Sequence, residues 1–203
     1  MIPLRAQGLL LLLLSLLSTY LVSANTSLKP VANYGQPFEY LPLLTANLYA
    51  DLLIIVVTFS AVLGSGKSWD VLQEWYKKYR LSAMLADILI GVLYLMAARY
   101  LSHILKLELD LFQFALLAVA IQILCDYGFY LFFTSVPKGS NHMLDFFKDW
   151  SRHAKLDALW GDSILVLFAV VLSAYFNQQS LDSNISYLVL GLYLTPYIIH
   201  MKD

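Results

Sequence analysis

The chain has 203 residues, 60% of them apolar and only 13% charged, with a formal net charge of −1. A soluble domain is roughly 45–50% apolar and about 25% charged, so this composition, with a mean hydropathy of +0.67, points to an all-α integral membrane protein of several spans. The near-neutral charge argues against a nucleic-acid partner, and a single cysteine, Cys125, leaves no intrachain disulfide and no CxxC redox or zinc motif.

Residues 1–24 read as a signal peptide. Arg5 supplies the basic start, a leucine-rich run follows, and Val22-Ser23-Ala24 offers small residues to a peptidase cutting before Asn25. Left uncut, the same run is a first anchor. Residues 25–40 form a short lumenal segment.

Five apolar stretches come next: Leu41–Leu63, Leu81–Leu101, Leu111–Ser135, Leu156–Phe176 and Ile185–His200. At 1.5 Å per residue most can cross about 30 Å of hydrocarbon. The last is short and carries Pro196. Lys67, Lys77, Lys78 and Arg80 lie between the first two, and Lys138, Lys148, Arg152 and Lys155 between the third and fourth. The opposite loops hold only Lys106, so both basic linkers are expected on the cytoplasmic side. Asn25-Thr26-Ser27 and Asn184-Ile185-Ser186 match the glycosylation sequon on the other side, the second too close to a helix for modification.

A shift of 75 residues brings the chain onto itself without a gap. Asp51, Ser60, Gly64, Ser65, Asp70, Trp75, Leu81, Ala83, Asp87 and Tyr100 fall on Asp126, Ser135, Gly139, Ser140, Asp145, Trp150, Leu156, Ala158, Asp162 and Tyr175. Several matches are polar or aromatic and lie in the linkers, where shared hydrophobicity cannot produce them. The expected architecture is a tandem repeat of two transmembrane hairpins, residues 41–110 and 111–184, forming a four-helix core. A fifth C-terminal helix and tail, 185–203, stand outside it. An even number of spans per copy gives both the same orientation, related by an axis along the membrane normal.

Each linker carries apolar residues at helical spacing: Val71, Leu72, Trp75 and Tyr79, then Met143, Phe146, Phe147 and Trp150. Short amphipathic helices at the interface are expected, with Trp75 and Trp150 at headgroup depth. Lys77, Lys78, Arg80, Arg152 and Lys155 would face anionic lipid or simply set topology.

The residues that call for explanation are Asp51, Asp87, Asp126 and Asp162. An aspartate near the centre of a spanning helix costs about 2.5–3.5 kcal/mol or more, so all four should face the bundle interior. Asn47 and Gln122 precede Asp51 and Asp126 by four residues, on the same helical face. Ala83, Asp87 and Gly91 form a stripe that lets helices approach closely. Arg99 either snorkels outward or reaches Asp51. Tyr49, Tyr94, Tyr127 and Tyr130 are candidate donors to the carboxylates. GSGKS, Gly64 to Ser68, lacks the full phosphate-loop spacing and reads as a turn. No metal or cofactor site and no catalytic set is expected.

The segments WYKKYRLSAMLADILIG, Trp75 to Gly91, and LDALWGDSIL resemble stretches of uncharacterised multi-pass proteins from large algal DNA viruses and marine protists. The resemblance implies a membrane of the endoplasmic reticulum or a virion membrane derived from it, and carries over no catalytic residue. Two roles fit the buried acids. As interhelical hydrogen-bonding groups they suit a structural or assembly component, alone, as a homo-oligomer or with a membrane partner. Lining a route, they suit a small proton or cation channel or a proton-coupled transporter.

Overall fold

The computed structural model describes residues 4–60, 67–154 and 156–201. Helices are α1 (Leu4–Asn25), α2 (Tyr40–Ser60), α3 (Lys67–Tyr79), α4 (Leu81–Ile104), α5 (Leu111–Ser135), α6 (His142–Ala154), α7 (Leu156–Asn177) and α8 (Leu181–Ile199), with a 3-10 turn at Pro37–Glu39. Long runs of Leu, Ile, Val and Phe leave the backbone no water to bond in a bilayer, and the helix satisfies every peptide group internally. Local signals set the ends. Asp110 accepts from Gln113 N–H at 2.8 Å while Gln113 Oε1 accepts from Asp110 N–H at 3.0 Å, starting α5. Ser180 caps α8 through Ser183 N–H at 3.1 Å. Arg80, at φ +49°, breaks α3 from α4 and lets α3 fold back.

Among the described residues five helices are long and apolar enough to cross a membrane: Gly8–Asn25, Pro37–Ser60, Leu81–Ile104, Leu111–Ser135 and Leu159–Asn177. The N-terminal helix is one of them and the C-terminal helix is not. Asp182, Asn184, Pro196 and three tyrosines make α8 too polar for its 19 residues. Residues 61–63 of the expected first span and 64–66 of the glycine-serine turn lie outside the described residues.

α2 stands at the centre, packed against α4, α7 and α8, and α5 packs against α4 and α7. α1 lies against α7 and α5. There Leu12 is buried, Tyr20 meets Phe112 edge-on at 5.5 Å, and Ser23 Oγ accepts from Phe112 N–H at 3.2 Å. Leu89 and Leu93 of α4 and Leu124, Tyr127 and Leu131 of α5 point outward as lipid-facing surface. As described, α3 and α6 have 13 residues each and are offset by 75 at both ends, and α4 and α7 begin 75 residues apart.

The turn from α5 to α6 is built on Gly139, whose φ of +91° suits glycine. Its N–H donates to Asp145 Oδ2 at 2.8 Å, and Lys148 Nζ donates to Val136 O at 2.5 Å and Asp145 Oδ1 at 3.3 Å. The Gly139 N–H first, and Lys148 after it, hold the Asp145 carboxyl below the usual aspartate range. A depressed acid stabilises the fold above its unfolded value, and this is lost as pH falls through the folded one. Hydrogen exchange at Gly139 should therefore lose protection toward acid in the wild type. Asp145→Asn should abolish that pH dependence; a profile identical to wild type would refute the pairing.

Candidate functional site

The four acids sit at matched depths from the ends joined to α3 and α6. At 1.5 Å per residue, Asp51 and Asp126 are about 14 Å from those ends of α2 and α5. Asp87 and Asp162 are about 9 Å from the starts of α4 and α7. Asp51 is 3% exposed and the other three are half-buried. They form a run across the bundle, with Asp87 neighbouring Asp51, and both Asp87 and Asp126 neighbouring Asp162.

Their partners come from different helices. The Tyr76 hydroxyl on α3 donates to Asp51 Oδ1 at 2.8 Å, and the Trp75 indole N–H donates to Asp87 Oδ2 at 3.0 Å. One short helix thus reaches an acid on α2 and an acid on α4. Asp126 accepts from the Tyr94 hydroxyl on α4 and from the Gln122 side-chain amide on its own helix. Gln122 is fully buried, and its oxygen accepts from Ser163 Oγ on α7 at 2.8 Å. α4, α5 and α7 are therefore linked through one polar chain. Asp51 Oδ2 is buried without a partner, and no described residue donates a hydrogen bond to Asp162.

Trp75 is covered by protein rather than turned to lipid. It is 1% exposed, packed on Tyr79, Phe146 and Phe147 with ring centroids 4.9, 5.3 and 4.8 Å away. The apolar face of α3 meets α6 and the acids rather than lipid. Trp150 is half-buried and stacked on Phe147 at 5.9 Å and 17°. Lys77 lies over the Phe59 ring at 5.6 Å, and Lys78 over Tyr79 at 5.4 Å and Phe146 at 5.8 Å. Arg80 donates to Ile199 O at 3.1 Å. The side chain of Arg152, and Lys155 as a whole, lie outside the described residues.

Asn47 does not bond Asp51. Its amide donates to Leu43 O at 2.8 Å, and its Oδ1 lies against Gly91, where a Cβ would approach to 2.2 Å. Arg99 snorkels away from Asp51. It is fully buried at the opposite end of the bundle, with Nη2 3.1 Å from Glu39 Oε2 and donating to Asn33 O at 2.5 Å and Gln36 O at 3.2 Å. Its guanidinium stacks over Tyr40 at 4.6 Å. Of the four tyrosines, Tyr94 reaches an acid and Tyr49 donates to Tyr187 O at 3.0 Å, while Tyr127 and Tyr130 are exposed. The amide of Asn184 is buried and donates to Phe176 O at 2.8 Å, so it is occupied inside the fold.

Tyr76 and Ser163 are the contributors that sequence reasoning missed. Tyr76 directly follows Trp75, on the flank of the apolar stripe, and only the fold-back at Arg80 turns it onto Asp51. Two open surface depressions lie away from the acids, one beside Ser23, Lys29 and Asp110 and one along Ile185, Val189 and Tyr193. Among the described residues no group of three or more His, Cys, Asp or Glu could hold a metal ion.

No protein-family model, no curated protein and no solved structure matches the chain. The class of protein rests on its five apolar helices: it is an integral, multi-pass membrane protein in contact with lipid.

Proposed function

We propose that the protein is a structural or assembly component of a membrane, and that its buried acids are interhelical hydrogen-bonding groups. One observation carries the reading: three of the four acids accept hydrogen bonds from a neighbouring helix, α3 to α2, α3 to α4 and α4 to α5. Such bonds cross-brace helices that lipid gives no hydrophobic reason to associate, at roughly 0.6–2 kcal/mol each. The two hairpins are a duplication, supported by the ten identities and the shared offset of α3 and α6. Exposed Lys77 and Lys78 suit anionic lipid at the linker side, which the distribution of charge places in the cytoplasm. The membrane is that of the secretory pathway or a virion envelope derived from it.

A second reading is favoured by the unpaired Asp51 Oδ2, by Asp162 and by the continuity of the run. Intramembrane acids of that kind suit a proton or cation route.

A double-mutant cycle with a flux assay separates the two. Trp75→Phe should cost about 1–3 kcal/mol by leaving Asp87 short of its donor. Asp87→Leu added to it should recover part of that loss, because both partners are then apolar. Proteoliposomes bearing the wild type should show no proton flux above lipid alone. Flux in the wild type that disappears in Asp87→Asn would overturn the scaffold reading.

A further inference from the structure

Trp150 and Asp162 stand to each other as Trp75 and Asp87 do: the same residue types at the same spacing, on a short linker helix and the spanning helix after it. In the first pair the indole N–H donates to the carboxylate at 3.0 Å. In the second the bond is unmade. Trp150 Nε1 is buried with no partner, and Asp162 receives no hydrogen bond from the described residues. Both halves of the bond are present, at the position where the duplicated sequence repeats them.

A buried donor left unpaired carries a real cost, so something else must hold α6 where it is. That something is α3. Phe146 and Phe147 close on the Trp75 ring, and the Tyr79 hydroxyl donates to His142 O at 2.7 Å. α3 touches α2 and α4, over its own acids, whereas α6 is drawn to α3 and α5. The ring of Trp150 is committed to Phe147. The aromatic stack on Trp75 and the bond to Asp162 thus compete for one helix.

We propose that α6 is a latch with two seats. In the seat described, its aromatic face covers Trp75. In the other, Trp150 turns to α7 and its indole N–H donates to Asp162, as Trp75 does to Asp87. The turn at 136–141, with Gly139 at φ +91°, is the joint that lets α6 move relative to α5. The two copies of the repeat then differ in use: α3 is a fixed brace and α6 a movable one. The inference rests on the duplication and is independent of the scaffold reading.

Pulsed electron spin resonance on the full chain in lipid nanodiscs tests it. Cys125→Ser removes the single native thiol, and labels are attached through Asp149→Cys and Gly161→Cys. Position 149 is exposed, and a Cβ at 161 would meet no atom within 4 Å. Two label separations are expected, with the shorter lost in Trp150→Phe and in Asp162→Leu. Phenylalanine keeps the ring in the stack, so Trp150→Phe reports even where Asp162→Leu fails to fold. A single separation in the parent, or two that persist in Trp150→Phe, overturns the latch. The Trp75–Asp87 coupling is read from stability alone, so that cycle can fail while the latch stands, and the reverse.

Discussion

Arg99→Met should destabilise the protein by about 3–5 kcal/mol, the loss typical when one member of a buried ion pair is removed. The guanidinium is fully buried and neutralises Glu39, itself only 12% exposed. It also ties down the carbonyls of Asn33 and Gln36 and stacks on Tyr40. Methionine fills much of the volume but leaves the Glu39 carboxylate without its counter-charge, and the carbonyls of Asn33 and Gln36 with their backbone donors alone. Arg99→Lys should fall between, because an ammonium keeps the charge but not the planar stack on Tyr40. Reversible unfolding in mixed micelles measures both. A loss below about 1 kcal/mol, the usual worth of an exposed pair, would mean that Arg99 lies in water.

Gly91→Leu is expected to have the second large effect. A Cβ there would come within 2.2 Å of Asn47 Oδ1, and Asn47 is held in place by its bond to Leu43 O. α4 must then move away from α2. Overpacking of this kind costs about 1–3 kcal/mol, and the shift also pulls Asp87 from Trp75, one turn along α4. Gly128→Leu is the control. Its Cβ would meet nothing within 4 Å, and a lipid-facing leucine should stay within about 0.5 kcal/mol of wild type. Equal losses at the two positions would show that glycine is needed for backbone reasons rather than for close approach.

The spans from Leu81 and Leu111 were legible because hydropathy and length alone specify a helix in a bilayer. Gln122 was legible as well, since its position four residues before Asp126 is a property of one helix. The roles of Trp75 and Tyr76 were not. A helical apolar stripe says that a face is covered, not whether lipid or another helix covers it. The answer depends on Arg80, whose φ of +49° folds α3 back. Glu39 escaped for a related reason: it belongs to a 3-10 turn with no periodicity, brought to Arg99 by the path of the chain. Asn47 obeyed the same spacing rule as Gln122, yet it turned to the backbone and left Asp51 to Tyr76.

The seating of α1 bears on what a cut before Asn25 would do. Trp160 of α7 lies 3.4 Å from where a Cβ on Gly8 would stand, and Leu12 and Thr19 are shielded within the bundle. A peptidase cut after Ala24 would release that helix and open a trough along α7 at the level of the lipid tails. Acyl chains or a neighbouring subunit would then have to fill it.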